Sequence, residues 1–275
     1  MSASDKTDAT PLLWDTTAEP SAFDPEDWFR YCEEVNGRPP PRLPALGIQS
    51  VMPAHLDIAV QRYGAEVDDF TLADHPVATF AFAGVPVVLG VSAKGSYAAG
   101  GLEEMIAMGV RRAIFLGGAA TLVSEIPVDS LFVPTKALRD DGVSLHYEPP
   151  SRYAMPDPEL VAALQRTVRL AGLPLNTGPI WTTTAHFRQA VPRVRAFREE
   201  GCLAVNNEAA AAFSVGRHRQ VDVAALVMIG DTLAADRFEV PRGHDKLYGQ
   251  ADVEPMFEVA LRALTGRDAD HGAEG

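Results

Sequence analysis

Between residues 45 and 265 short apolar runs alternate with stretches of helical periodicity, and this alternation limits the fold more than any other feature. Strands are expected at 47–52, 77–82, 86–91, 113–117, 130–134, 179–183, 202–206 and 222–229. Helices are expected at 54–63, 97–109, 157–171, 189–200, 208–216 and 253–265. In 97–109, Leu102, Met105, Ile106 and Met108 recur at helical spacing, with Glu103 and Glu104 outside. Pro156-Asp157-Pro158 opens the following helix and Gly172 closes it. Such alternation predicts an α/β fold, a mostly parallel or mixed sheet with helices on both faces. Ligands of such sheets bind beyond the strand ends, at a switch point.

The 275 residues, 47% of them hydrophobic, suit one α/β domain with a sizeable core, or at most two small ones. We divide the chain into an N-terminal extension or arm (1–45), a main domain (46–265) and a disordered polar tail (266–275). Residues 1–22 are polar and read as mobile. Asp24-Pro25-Glu26-Asp27 then starts a helix bearing Trp28, Phe29 and Tyr31, and Gly37-Arg38-Pro39-Pro40-Pro41 breaks it. That aromatic arm is expected to lie on the main domain or on a neighbouring subunit of a homo-oligomer.

A net charge of −13 argues against nucleic-acid or anionic-membrane partners, which need local basic surface. Cys32 and Cys202 form no CxxC pair, so they read as reduced thiols of a cytoplasmic protein. The N-terminus has neither a basic region nor an apolar one, so no signal peptide is expected, and no apolar run approaches a membrane span.

Two carboxylates stand out. Glu208 lies alone in the small, apolar segment Ala204–Ala211, and Asp231 ends the apolar run Leu226–Ile229. Two carboxylates at strand ends suit a site that grips sugar hydroxyls and protonates a leaving group. Their ordinary roles would be a helix N-terminus and a turn. Gly117-Gly118 follows the run 113–116, where a glycine pair lets backbone N–H groups approach a ligand, although a plain tight turn is as good a reading. Trp181-Thr182-Thr183-Thr184-Ala185-His186-Phe187-Arg188 ends a strand with an aromatic and hydroxyls that suit a flat heterocycle. His186 reads as a base, a hydroxyl ligand or a plain loop histidine. Neither GxGxxG, Walker A nor GxSxG occurs.

Taken in order, five segments resemble the nucleoside phosphorylase superfamily of purine nucleoside and uridine phosphorylases. They are FLGGAATL (115–122), LRDDGVSLHYEPPSR (138–152), WTTTAHFRQA (181–190), AVNNEAAAAF (204–213) and MIGD (228–231). The resemblance implies a three-layer α/β/α sandwich around a mixed, partly barrel-like sheet, and an oligomer. It implies that Glu208 holds the ribose hydroxyls, that Asp231 protonates the base, that Phe187 stacks on it, and that Gly117 and Gly118 form a turn beside phosphate and sugar. Asn207, Thr183, Thr184, His186 and Lys94 complete the implied substrate-binding set. The family's methionine before the glutamate is Asn207 here, the aspartate of its WTTD is Thr184, the proline of the next pair is His186, and the serine of its VSD is Gly230.

Larger departures affect phosphate. The signature arginines of such proteins fall on Ile58 and Phe115, which is expected to make the phosphate pocket apolar. Lys94 stands where glycine is usual; it would supply one ammonium to phosphate, occupy the phosphate position itself, or point into solvent. The expected activity is cleavage or formation of the N-glycosidic bond of a nucleoside or analogue, with phosphate as possible co-substrate and no metal or redox cofactor. A water-using nucleosidase and a non-catalytic nucleoside-binding protein are the alternatives. Purine and pyrimidine stay open, because the uridine-like loop and the purine-like aspartate point in different directions.

Overall fold

The computed structural model describes residues 15–68, 76–240 and 250–267. The disorder expected for residues 1–14 and 268–275 falls outside these. In chain order the elements are α1 (Pro25–Asn36), β1 (Leu46–Ser50), α2 (Ala54–Tyr63), β2 (Glu66–Asp68), β3 (Val77–Phe82), β4 (Val85–Val91), α3 (Tyr97–Ala107), β5 (Arg112–Thr121) and β6 (Leu131–Asp140). A 3-10 turn (Ser144–His146) then leads to β7 (Tyr153–Ala154), α4 (Pro158–Leu170), β8 (Leu175–Thr183), α5 (Val191–Glu199), β9 (Ala204–Asn206), α6 (Ala209–His218), β10 (Asp222–Thr232) and α7 (Gln250–Thr265). Among the described residues no helix is long and apolar enough to cross a membrane.

Local chemistry sets the helix ends. The Asp24 side chain accepts from Asp27 N, the Asp27 side chain returns a bond to the Asp24 backbone, and Pro25 begins α1. Asp157 caps α4 through Leu160 N, with Pro158 in the first turn. Gly109 ends the turn after α3 at φ +135°, where a Cβ would sit 2.7 Å from Leu43 O.

All ten strands form one mixed sheet, ordered β2-β3-β4-β1-β5-β9-β8-β6-β10, with β7 on β6. β10 also pairs with β5, so β5, β9, β8, β6 and β10 close into a barrel and the other strands extend from it. β1, β5 and β10 run parallel, so their carboxyl ends emerge together. One core face holds Phe29 of α1, Leu102 and Met105 of α3 and Phe213 of α6. The other holds Ile58 of α2, Leu164 of α4 and Phe257 of α7. Helices thus cover both faces of the sheet, the expected three layers.

Three expectations need correction. Gly117 and Gly118 form no turn: β5 continues to Thr121, and the two glycines pair with Val227 and Met228 of β10. Closing the barrel keeps this strand paired beyond its apolar stretch. Trp181 is no ligand platform, being fully buried, bonded through its indole N–H to Asp140 Oδ2 at 3.0 Å and packed edge-on against Phe197. Glu104, expected outside, is buried on α3. The arm takes the first of its two expected placements: Trp28 and Phe29 pack onto this chain's own core, while Tyr31 stays exposed.

Candidate active site

The carboxyl ends of β1, β5 and β10 open onto a cavity of about 610 Å³. Val51 follows β1, and Gly118, Ala119 and Ala120 come from β5. Lys94 enters from the β4–α3 loop, His186, Phe187 and Gln189 from the β8–α5 loop. Asn206, Asn207 and Glu208 enter where β9 meets α6, and Asp231 ends β10. A cavity beyond parallel strand ends is where open α/β sheets place ligands.

Glu208 is buried at the N-terminus of α6. Its Oε1 accepts from Gly95 N at 2.9 Å, and its Oε2 from Asn207 N at 3.2 Å and Asn206 Nδ2 at 3.4 Å. Gly95 can bring its N–H there because it takes φ +72°, a backbone conformation that favours glycine. Burial pushes the Glu208 carboxyl above the usual range, while the two backbone N–H groups and the Lys94 charge pull it back.

Asp231 sits just past a bulge. Ile229 pairs with Ala119 and Asp231 with Ala120, so Gly230 is the extra residue, and such an insertion re-aims the side chain that follows. Burial pushes the Asp231 carboxyl up to about 6, against opposing charges on His186 and Lys94. Among the described residues no group donates a hydrogen bond to this carboxyl.

His186 and Asn207 meet: His186 Nδ1 and Asn207 Nδ2 are 3.2 Å apart. The imidazole also stands edge-on to Phe187, with ring centroids 4.6 Å apart. Phe187 is 93% exposed, a face open to a stacking partner. Seven of the expected residues therefore share one cavity: Glu208, Asp231, Asn207, His186, Phe187, Gly118 and Lys94.

Gly117, Thr183 and Thr184 do not line it. Phe115 and Val51 fill the space around Gly117. Thr183 Oγ1 accepts from Ala185 N, and Thr184 Oγ1 donates to Asp141 O at 2.8 Å, so both fasten the loop that carries His186. The positions expected to make an apolar phosphate pocket are also elsewhere. Ile58 and Phe115 are buried in the two cores and leave the cavity wall alone. His55, at the same end of β1, is buried as well, bonded to Ser50 Oγ at 2.7 Å and stacked on Phe257. Desolvation lowers its pKa to about 4.

Some wall residues escaped the sequence reading. Asn206 had a signal, as the first of two amides before a lone glutamate. Asp236, Arg237 and Phe238 had none, since they belong to an irregular segment after β10. The segment is pinned to α5: Arg195 Nε donates to Asp236 Oδ2 at 2.8 Å, and Arg198 to Asp236 Oδ1 at 3.1 Å and Ala234 O at 3.0 Å. Arg237 adds a second cation to the wall and pairs with Glu239.

Residues 45–264 match the model of the family described as the phosphorylase superfamily. A guanosine phosphorylase of Halorubrum lacusprofundi is 25% identical over 166 residues, covering 60% of this chain and 69% of the relative. The crystal structure of a uridine phosphorylase from Vibrio fischeri ES114 superposes with a TM-score of 0.71 at 18% identity, over 82% of this chain and 94% of that one. The family match spans both carboxylates and every strand of the barrel, and the chain belongs to the phosphorylase superfamily.

Proposed function

We propose that this chain cleaves, or in reverse forms, the N-glycosidic bond of a nucleoside or close analogue. The observation that carries the reading is one cavity holding two desolvated carboxylates with different partners. Glu208 is ringed by N–H donors, and Asp231 is held up to about 6 by burial alone. The family match and the two phosphorylases named above support it.

Glu208 accepts hydrogen bonds from the sugar hydroxyls and fixes C1′ in place. As the C1′–N bond breaks, its electron pair leaves with the base and the ring oxygen shares electron density with C1′. Asp231 gives its proton to the departing base. With a pKa of about 6, about a tenth of it is protonated at pH 7, close enough to serve as an acid. Phe187 offers the base a stacking face. No step needs a metal or redox cofactor.

Phosphate is the nucleophile in this reading, and Lys94 is a cation on the wall that would attract it. A water-using reaction is the second reading, favoured by one observation: Ile58 and Phe115 are core residues and give phosphate nothing. A homo-oligomer is also proposed, on the exposed Phe23, Tyr31 and Val35 at and beside α1.

The test is a panel of purine and pyrimidine nucleosides, with and without phosphate, read by release of free base and by the sugar product. Sugar 1-phosphate with saturable phosphate dependence that weakens in Lys94→Ala supports phosphorolysis. Free sugar without phosphate supports hydrolysis. No base release under either condition refutes both.

A further inference from the structure

Behind Glu208 lies a buried chain of polar groups whose roles are fixed by their partners. Thr182 lies one residue before the end of β8 and is fully buried, and Asn206 ends β9 and is 5% exposed. Thr182 Oγ1 accepts from Ala210 N at 3.0 Å, which leaves its own proton for Asn206 Oδ1 at 3.1 Å. Asn206 Oδ1 also accepts from Ala209 N at 3.4 Å. With its oxygen so engaged, the carboxamide turns its NH₂ to Glu208 Oε2 at 3.4 Å. The opposite amide orientation would set NH₂ against a backbone N–H, so only one is satisfied.

The arrangement does two things. It occupies the first two N–H groups of α6, which have no partner inside the helix. It also supplies Glu208 with a side-chain donor besides Gly95 N and Asn207 N. A buried carboxylate is costly unless such donors face its charged form. An aspartate at 206 could still accept from Thr182 and Ala209. It would place a second carboxylate against the first, and two carboxylates that close cannot both ionise.

We propose that Asn206, oriented by Thr182, is a positioning residue that holds Glu208 ionised and aimed into the cavity, and thereby sets the preference for a sugar with both vicinal hydroxyls. The inference rests on Glu208 as the sugar anchor. The charged and titratable groups around that carboxylate are Lys94 from the β4–α3 loop, His186 from the β8–α5 loop and Asp231 from β10. The Asn206 side chain bonds to Thr182, Ala209 N and Glu208 and to none of these three, so a shift in Glu208 reports on position 206.

The test compares wild type, Asn206→Asp and Thr182→Val, the last removing the hydroxyl at nearly constant shape. The first readout needs no activity: carbon-13 NMR titration of the Glu208 carboxyl, assigned by its loss in Glu208→Gln. Asn206→Asp should raise the Glu208 midpoint by a unit or more. The second readout is kcat/KM for a ribonucleoside over that for its 2′-deoxy counterpart. This ratio should fall about tenfold or more in Asn206→Asp below the raised Glu208 midpoint, and recover as pH rises through that midpoint and Glu208 ionises. Thr182→Val should lower it less. An unchanged Glu208 titration in Asn206→Asp, or equal losses on both sugars, overturns the proposal. If wild type bound no nucleoside, the sugar-anchor reading would fail on the second readout, while the NMR titration would still decide whether Asn206 governs Glu208.

Discussion

Glu208 and Asp231 share a cavity and are both desolvated, yet their surroundings differ in kind. Glu208 lies where β9 turns into α6, and three N–H donors face it. Asp231 lies past a one-residue bulge at a strand end, and among the described residues its carboxyl meets the charges of His186 and Lys94 and no hydrogen-bond donor. Donors compensate burial for the anion; charges that make no hydrogen bond compensate it less. The first environment suits a fixed acceptor, and the second suits a group that must gain and lose a proton. Position on the fold separates these tasks, since a helix start supplies N–H groups and a bulged strand end does not.

The largest effect is expected at Asp231. Asp231→Asn should lower turnover of natural nucleosides by about 10²–10⁴-fold, the usual worth of a positioned acid. It should also stabilise the fold at pH 7. A raised carboxyl pKa means that the native state favours the proton. That contribution is fully present below the unfolded value of 3.8 and is lost as pH rises through about 6. The ionised form then costs up to about 3 kcal/mol, at 1.36 kcal/mol per unit. Thermal melts at pH 7 and pH 4 should show the variant more stable at the first and similar at the second. A variant less stable at pH 7 would mean that Asp231 is a structural carboxylate like any other.

His55 provides a buried group outside the cavity against which to set both. Its folded pKa of about 4 lies below the ordinary 6.5, so the unfolded chain binds the extra proton. The stability it contributes is full above pH 6.5 and lost as pH falls through 4, by about 2–3 kcal/mol near pH 4.5. Urea unfolding at pH 7 and 4.5 checks this, and His55→Gln should flatten the difference.

Glu208→Gln should weaken a ribonucleoside by about 1.5–3 kcal/mol for each lost charge-assisted bond, and affect its 2′-deoxy counterpart far less. Equal weakening, measured by titration calorimetry, would detach Glu208 from the sugar. The smallest effect is expected at the segment after β10. Asp236→Ala releases it from Arg195 and Arg198, partly exposed pairs of modest strength, and should raise KM slightly with kcat unchanged.

The layered fold was legible because each apolar run states its own period. The expected 54–63 and 77–82 coincide with α2 and β3. Barrel closure was legible through the resemblance, as a partly barrel-like sheet, and not from any local pattern. It depends on β5 continuing through Gly117 and Gly118 to reach β10 and β9, and a glycine pair reads locally as a turn. The short β2 and β7 carry too few residues for a period to show. At the cavity, Glu208 and Asp231 were visible as charges out of place in apolar runs. Ile58, Phe115 and Trp181 were misread because the sequence lists a side chain without saying which face of its element it takes; all three went into the core. Arg237 and Phe238 reach the wall only because Asp236 is tied to another helix, a contact between distant residues that no local pattern announces.

The proposed roles of Glu208 and Asp231 are tested most directly by a crystal structure with a bound ribonucleoside, or with an analogue whose glycosidic bond does not break. The sugar hydroxyls are expected within hydrogen-bond distance of the Glu208 carboxylate, the base against Phe187, and a base heteroatom next to the Asp231 carboxyl. A nucleoside bound in the reverse orientation, or seated outside this cavity, would contradict these roles.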